Sequence, residues 1–592
     1  MKHLLTILLT TLTITTAYTQ NYQWAHGFGG PNYDAQGNSI ATDAQGNVYV
    51  TGTFRDSIDF NPGIDTSYLV PSGGSNGPFT FIAKYDSSGS FIWAKCLNAN
   101  PGQVEAEKLE VNSTGVYIAG HFFLNVDFDP STSGTAILQS TGGWSGDEDI
   151  FLAKYDLNGN YVWAKSMGGI NEDKALDLAI DNNGNSYITG YFRDTADFDP
   201  GVGVANLISE PFTDRFVSKY DINGNYLWAK DFSDNDSSGV VINKIAIDQT
   251  LNQIYIIGFF GNTIDFDRGG GVFFLSSSGA QDYDGFVCNY DSAFNFLWGG
   301  SISGNWFQNI AAIEIDKTGN GEITVAGGFT GVTDFDLGTG VLNLTASGSI
   351  YNGELFFAKY DGSGNNIWVK NIGNGTSIEN IVSIKIDNNG DYLIAGSFSD
   401  TLDFDPSISI YDLISGAHLS PDIYFAKYDI NFNFLWAKKI GDFNGEAPLQ
   451  MSLDFQNNIL LTGYYDGFFL ADFDPGPSTV YLNSGTNNQS IFIAKYQNVI
   501  TGIHDKDLKV NSNSRVFPNP TFNNLNIIVP EQIKSFTIYN SFGEIVFFNT
   551  LLTSNSPKSN IEINVSRLSS GSYYIKIDSN NNSIYYSRFT KL

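Results

Sequence analysis

Apolar and polar residues alternate along most of this chain in short runs, and Asp, Asn and Gly break the runs apart. Val48-Tyr49-Val50-Thr51-Gly52-Thr53-Phe54 is one such run. A period of two marks a strand, and the breaking residues are turn formers. The runs come in sets of four: Ser39–Asp43, Val48–Phe54, Phe79–Tyr85 and Ser90–Lys95 form the first complete set. Tight Asp-x-x-Gly-type turns join the first run to the second and the third to the fourth. A longer loop carrying Asp59-Phe60-Asn61-Pro62-Gly63 joins the second to the third. This pattern predicts a four-stranded antiparallel meander. No segment has a convincing helical period.

The set recurs seven times. Trp24, Trp93, Trp163, Trp228, Trp298, Trp368 and Trp436 mark the fourth run at steps of 65 to 70 residues. Asp-Phe-Asp/Asn returns at Asp59, Asp127, Asp197, Asp265, Asp334, Asp403 and Asp472. One four-stranded sheet leaves two faces bare, whereas copies packed around an axis cover them and leave only short edges. The expected fold is therefore all-β, a seven-bladed β-propeller followed by a small β-sandwich. The seventh copy stops after Ile491–Tyr496, and Tyr22–His26 at the other end of the chain has the character of its missing strand. The N-terminal strand is expected to close the last blade.

Two resemblances follow from these residues. Trp163-Ala164-Lys165 with Gly168-Gly169, Asp173 and Ala179-Ile180-Asp181-Asn182-Asn183-Gly184-Asn185-Ser186-Tyr187-Ile188-Thr189-Gly190 resembles the SBBP-type propeller repeat of bacterial secreted proteins. That likeness implies fold and not activity. Val516-Phe517-Pro518-Asn519-Pro520, Leu525-Asn526-Ile527, Phe536–Gly543, Leu568–Ile577 and the basic end Arg588–Leu592 resemble the C-terminal sorting domain of type IX secretion cargo. The resemblance implies recognition by that machinery, export across the outer membrane through the periplasm, and secretion or attachment to the outer surface. The expected organisation is a signal peptide over 1–19, the propeller over 20–497, a linker over 498–514 and the sorting domain over 515–592. Lys2 and His3 followed by the apolar stretch Leu4–Ala17 carry the signal reading. No other stretch is long and apolar enough for a transmembrane helix in the mature chain.

Composition narrows the function. The net charge is -31, which excludes a phosphate backbone as partner, because nucleic-acid binding needs a positive footprint. Cys96 and Cys288 belong to different copies and read as buried small hydrophobes, without a disulfide. Five histidines without metal spacing, and no nucleophile elbow or phosphate loop, argue against a recognisable enzyme.

Candidate sites lie in the loops. The acidic turns are expected to crown one face, and their carboxylates, Asp127, Asp129, Asp197, Asp199, Asp403, Asp405, Asp472 and Asp474, are the candidate ligands for Ca2+. The competing reading makes each Asp a cap on its own turn and each Phe a plug in its blade. Two tryptophans break the step, Trp144 in a long loop of the second copy and Trp306 between the fourth and fifth copies. Both are candidates for stacking on sugar rings. Asp-Ser/Thr-aliphatic at Asp56, Asp194 and Asp400 resembles an O-glycosylation sequon, or reflects turn geometry alone. The expected function is a secreted or surface-held monomeric binding or adhesion scaffold for glycan or protein. The alternative is a polysaccharide-acting enzyme with its site on the acidic face.

Overall fold

The computed structural model describes residues 22–498, apart from 72–76, 144–145, 233–238, 280–281, 348–352, 374–377, 417–419, 442–444, 467–469, 477 and 483–487. It also describes 515–591, apart from 518–520, 529–532, 540–544, 551–559, 569–570 and 580–583. The expected signal peptide and Trp144 therefore lie outside the described residues, as does nearly all of the expected linker. Every regular element among the described residues is a strand. No helix there is long and apolar enough to cross a membrane. The chain divides into two compact units, one of them Tyr22–Gln497 and the other containing the C-terminal strands.

Seven four-stranded antiparallel meanders run through Tyr22–Gln497; acidic hairpins join two of them into one nine-stranded sheet and extend another to six strands. The first pairs Gln36–Thr42, Val48–Phe54, Phe79–Tyr85 and Phe91–Cys96 in that order. In the last, Ala447–Leu453, Ile459–Asp466 and Gln489–Tyr496 are completed by the N-terminal strand Tyr22–Phe28, with Trp24 opposite Lys495 and Phe28 opposite Ile491. Neighbouring sheets meet through their first strands. Ser39 Oγ accepts from Leu109 N of the second sheet at 2.9 Å and donates to Gln450 Oε1 of the last at 2.5 Å. Asp177 Oδ2 accepts from Ile245 N, Asn243 Nδ2 donates to Ile310 O, and Lys385 pairs with Glu314.

Two devices fill the space between sheets. In the first, the Asp-Phe-Asp hairpin folds back so that its Phe is fully buried in all seven copies. The Tyr that ends the third strand donates its hydroxyl to that Phe carbonyl, as Tyr85 does to Phe60 at 3.0 Å and Tyr496 to Phe473 at 3.0 Å. Burying such a ring contributes roughly 2–3 kcal/mol. In the second, the register Trp of one sheet packs against the turn joining the third and fourth strands of the next. Trp163 Nε1 donates to Ile222 O at 3.2 Å and Trp298 Nε1 to Gly362 O at 2.9 Å. Trp24 docks likewise on Ser87 of the first sheet.

The C-terminal unit has a three-stranded sheet, Arg515–Phe517, Asn524–Ile528 and Asn560–Asn564. Its second sheet is four-stranded, in the order Ile545–Thr550, Ile533–Tyr539, Gly571–Ser579 and Ile584–Lys591. Leu525, Ile527, Phe536, Ile538, Ile575 and Ile577 alternate inward to form one core.

Candidate functional site

Sevenfold repetition supplies an internal alignment, and one feature recurs in every copy that the pattern of apolar residues did not predict. The first strand carries a β-bulge against the second, at residues 38, 107, 176, 243, 311, 382 and 449. Opposite each bulge stands a glycine of the second strand. A Cβ on Gly120 would fall 1.9 Å from Glu105 O, and on Gly327 1.8 Å from Asn309 O. Only glycine admits that approach of the two backbones. The residue after the glycine differs widely between copies: Thr53, His121, Tyr191, Phe259, Gly328, Ser397 and Tyr464. The scaffold is constant at this point and the chemistry is not.

In the second copy the position is His121, with Glu105 directly opposite and Glu107 at the bulge. His121 is 5% exposed. Its Nε2 lies 3.9 Å from Glu105 Oε1 and its Nδ1 3.8 Å from Glu107 Oε1. The Nδ1 is buried without a hydrogen-bond partner. Burial pushes the imidazole down to about 3, so the ring is neutral. Burial also pushes the Glu107 carboxyl up to about 7, helped by the nearby charge of Glu105. In the third copy Tyr191 donates to Glu172 at 3.0 Å and lies under the Arg215 guanidinium. In the fourth, Phe259 contacts Tyr283 and Phe307 edge-on at 5.7 and 5.2 Å between ring centres. Phe307 is itself exposed beside Trp306, which is 53% exposed and held in a left-handed backbone conformation at φ 82°. The bond from Tyr283 N to Trp306 O fixes that connection. Trp306 thus adjoins this aromatic cluster through its chain neighbour Phe307 and the backbone bond to Tyr283.

The first strands of all seven sheets line a cavity of about 480 Å³. Its carboxylates are largely neutralised: Glu314 pairs with Lys385 at 2.9 Å, Glu110 with Lys108 at 3.3 Å and Asp177 with Lys244 at 3.8 Å. Glu107 also lines it.

The hairpins of the acidic turns pair with the end of the outer strand of the preceding sheet, Gly168 opposite Asp197 and Ser303 opposite Asp334. They are drawn there because the Phe between the two acids needs cover and the outer strand has an unpaired edge. Asp127 Oδ1 accepts from Asp129 N and Ala136 N, and Asp129 Oδ1 from Ser131 N. Asp197 and Asp199 make the same bonds to Asp199 N, Ala205 N and Gly201 N. Asp403 and Asp405 serve Asp405 N, Tyr411 N and Ser407 N, and Asp472 and Asp474 serve Asp474 N, Val480 N and Gly476 N. One oxygen of each candidate calcium ligand thus caps the turn. Among the described residues these turns gather no group of three potential ligands; the one such group is Glu105, Glu107 and His121. Linear spacing could not reveal it, because a cross-strand register brings it together.

Other irregular copies have structural roles. Arg268, where most copies have Pro, donates to Asp265 O and lies over Phe232. Asp194 and Asp400 hold the left-handed position that Leu124, Asn262 and Gly331 also take. Cys96 and Cys288 are free thiols.

Comparison with known proteins bears on both units. Residues 23–53 match the beta-propeller repeat family, and residues 515–589 match the secretion system C-terminal sorting domain. The chain carries a type IX sorting domain behind beta-propeller repeats. The sorting domain indicates type IX export. An uncharacterized WD repeat-containing protein of Acanthamoeba polyphaga mimivirus is 22% identical over 474 residues, 69% of this chain and 33% of its own length. Regulatory protein FlaEY of Caulobacter vibrioides is 26% identical over 246 residues, 38% of this chain and 24% of its own. The chain thus spans a third or less of these relatives. Among solved structures, Sqt1 from Chaetomium thermophilum is 9% identical with a TM-score of 0.34, covering 75% of this chain and 97% of that one. A likeness at that score bears on neither fold detail nor function.

Proposed function

We propose that residues 20–497 form a seven-bladed propeller closed by its N-terminal strand, and that this monomeric propeller is a non-catalytic binding scaffold held at or released from the outer cell surface. Its ligand face is the end of the sheets at which the residue after the strand-two glycine emerges. The observation that carries this reading is the contrast between seven equivalent bulges and the six different residue types beside them. A scaffold that varies at one repeated position is built to present a surface. The cluster of Phe307, Tyr283 and Phe259, with the exposed Trp306 next to it in the chain, supplies flat apolar faces of the kind that stack on sugar rings. A glycan is therefore the favoured ligand, with Trp144 as a second stacking candidate in its loop. The enzyme alternative is less well supported, because the cavity carboxylates are paired with lysines. Calcium at the acidic turns would have to use the carboxylate oxygens left over from turn capping, with backbone and water completing the shell.

A glycan array probed with the purified chain tests this reading. Trp306→Ala should lower glycan binding at least tenfold while leaving the melting temperature unchanged. Binding by Trp306→Ala equal to that of the parent, or no binding by the parent to any glycan, overturns it.

A further inference from the structure

We propose that Glu105, Glu107 and His121 bind one divalent transition-metal ion of the zinc class on the second sheet. The site goes beyond the scaffold reading and does not depend on a glycan ligand.

One donor atom from each residue lies within 4.8 Å of the others. Fold geometry, more than loop placement, enforces this. Glu105 faces His121 directly across the ladder, and the bulge turns Glu107 toward the same imidazole. A second observation points to a ligand independently of the acidic pair. His121 is buried, yet its Nδ1 has no hydrogen-bond partner. An orphaned buried ring nitrogen has lost its water without gaining a partner, and a bound cation would supply one. Both carboxylates are about one-third exposed, so they can swing inward to the roughly 2.0–2.2 Å bonds that zinc requires.

The donor set selects the ion. Calcium and magnesium take oxygen shells, whereas one imidazole and two carboxylates suit zinc and its first-row neighbours. Three protein ligands leave a fourth position for water or an oxygen of a bound molecule. The other sheets repeat the backbone without the ligands. The equivalent trio is Asn380, Val382 and Ser397 in the sixth copy and Val241, Asn243 and Phe259 in the fourth. The nearest cation, Lys174, opposes a metal charge but is itself paired with Glu172 at 3.0 Å.

The test is zinc binding by the purified full chain, stripped with chelator and titrated with zinc chloride by calorimetry. One zinc per chain is expected, with nitrogen and oxygen neighbours near 2.0 Å in X-ray absorption. The double variant Glu105→Gln, Glu107→Gln keeps side-chain volume and should lose affinity by about 100-fold or more while its metal-free melting temperature stays at the parent value. His121→Ala should lose the site as well; because that residue is buried, the glutamine variant decides the matter if His121→Ala does not fold. Absence of stoichiometric zinc in the parent, zinc binding by the double variant equal to the parent's, or binding of calcium with no zinc each overturns the proposal.

Discussion

Ser39 and Gln450 are 411 residues apart in sequence, and Ser39 Oγ donates to Gln450 Oε1 at 2.5 Å. Thr42 Oγ1 reaches Leu453 O at 3.0 Å along the same seam. The first sheet is thereby bonded to the last, whose fourth strand is the chain's own N-terminal segment. Removing residues 22–28 takes away six ladder partners and the buried Trp24 and Phe28. The expected loss is roughly 5 kcal/mol or more. Chemical denaturation checks it, and an unchanged midpoint would show that the last sheet stands without its borrowed strand.

The turns on which the tryptophans dock need a left-handed residue. Gly224 has φ 73°, and a Cβ there would lie 2.9 Å from both Trp163 and Lys165. Gly224→Ala should destabilise the chain by about 1–3 kcal/mol through strain and crowding together. Two copies answer the same need with an aromatic ring. Phe294 at φ 65° and Phe432 at φ 58° stack on Tyr290 and Tyr428 at 4.1 and 4.3 Å. Phe294→Gly relieves strain but empties a buried site, for a net loss of about 2–4 kcal/mol. A gain in melting temperature for either variant would contradict this account of the turn.

Turn capping by the acidic hairpins separates oxygen geometry from charge. Asp197→Asn keeps one acceptor for Asp199 N and Ala205 N and should cost under about 1 kcal/mol. Asp197→Ala abandons both amides and should cost about 1–2 kcal/mol. Calorimetric melts with and without calcium complete the comparison. If calcium raised the parent's melting temperature by several degrees and left Asp197→Asn unmoved, ion binding would be the larger role.

Stability should depend on pH through buried acids. Burial pushes the Asp173 carboxyl from its ordinary value of 3.8 up to about 8, and Asp149 beside it up to about 6. The unfolded chain ionises these groups from about pH 4, whereas the folded chain resists until the raised value is reached. Their contribution is therefore fully present below about pH 4 and is lost as pH climbs toward 8. The melting temperature of Asp173→Asn relative to the parent should rise steadily across that window. A difference that stays flat from pH 4 to 8 would mean that Asp173 is ionised in the fold.

Trp spacing and period-two runs made the four-strand unit and its copy number legible, because both are local and repeat. The ends were legible for the same reason: a missing fourth strand at Tyr496 matches a spare one at Tyr22. Positions set by pairing between distant segments were not. The pairing of the acidic hairpins with the neighbouring sheet's outer strand was one of these, with Phe128 and Phe198 buried between the sheets. His121 looked isolated because its partners are set by register and by a bulge that Gly120 permits. Trp436 shows the limit of the repeat from the other side. It faces the one sheet without a turn between its third and fourth strands, so it lacks the turn on which Trp163 and Trp298 dock.

The pairing of a strand-one bulge with a strand-two glycine makes each sheet a socket of the same backbone shape. The bonds that define the socket come from main-chain atoms, so its shape stays the same while the three side chains it carries differ between copies. Asn380→Glu, Val382→Glu and Ser397→His would write the second sheet's ligand trio into the sixth. One backbone shape, cast seven times, thus carries a different trio of side chains in each copy.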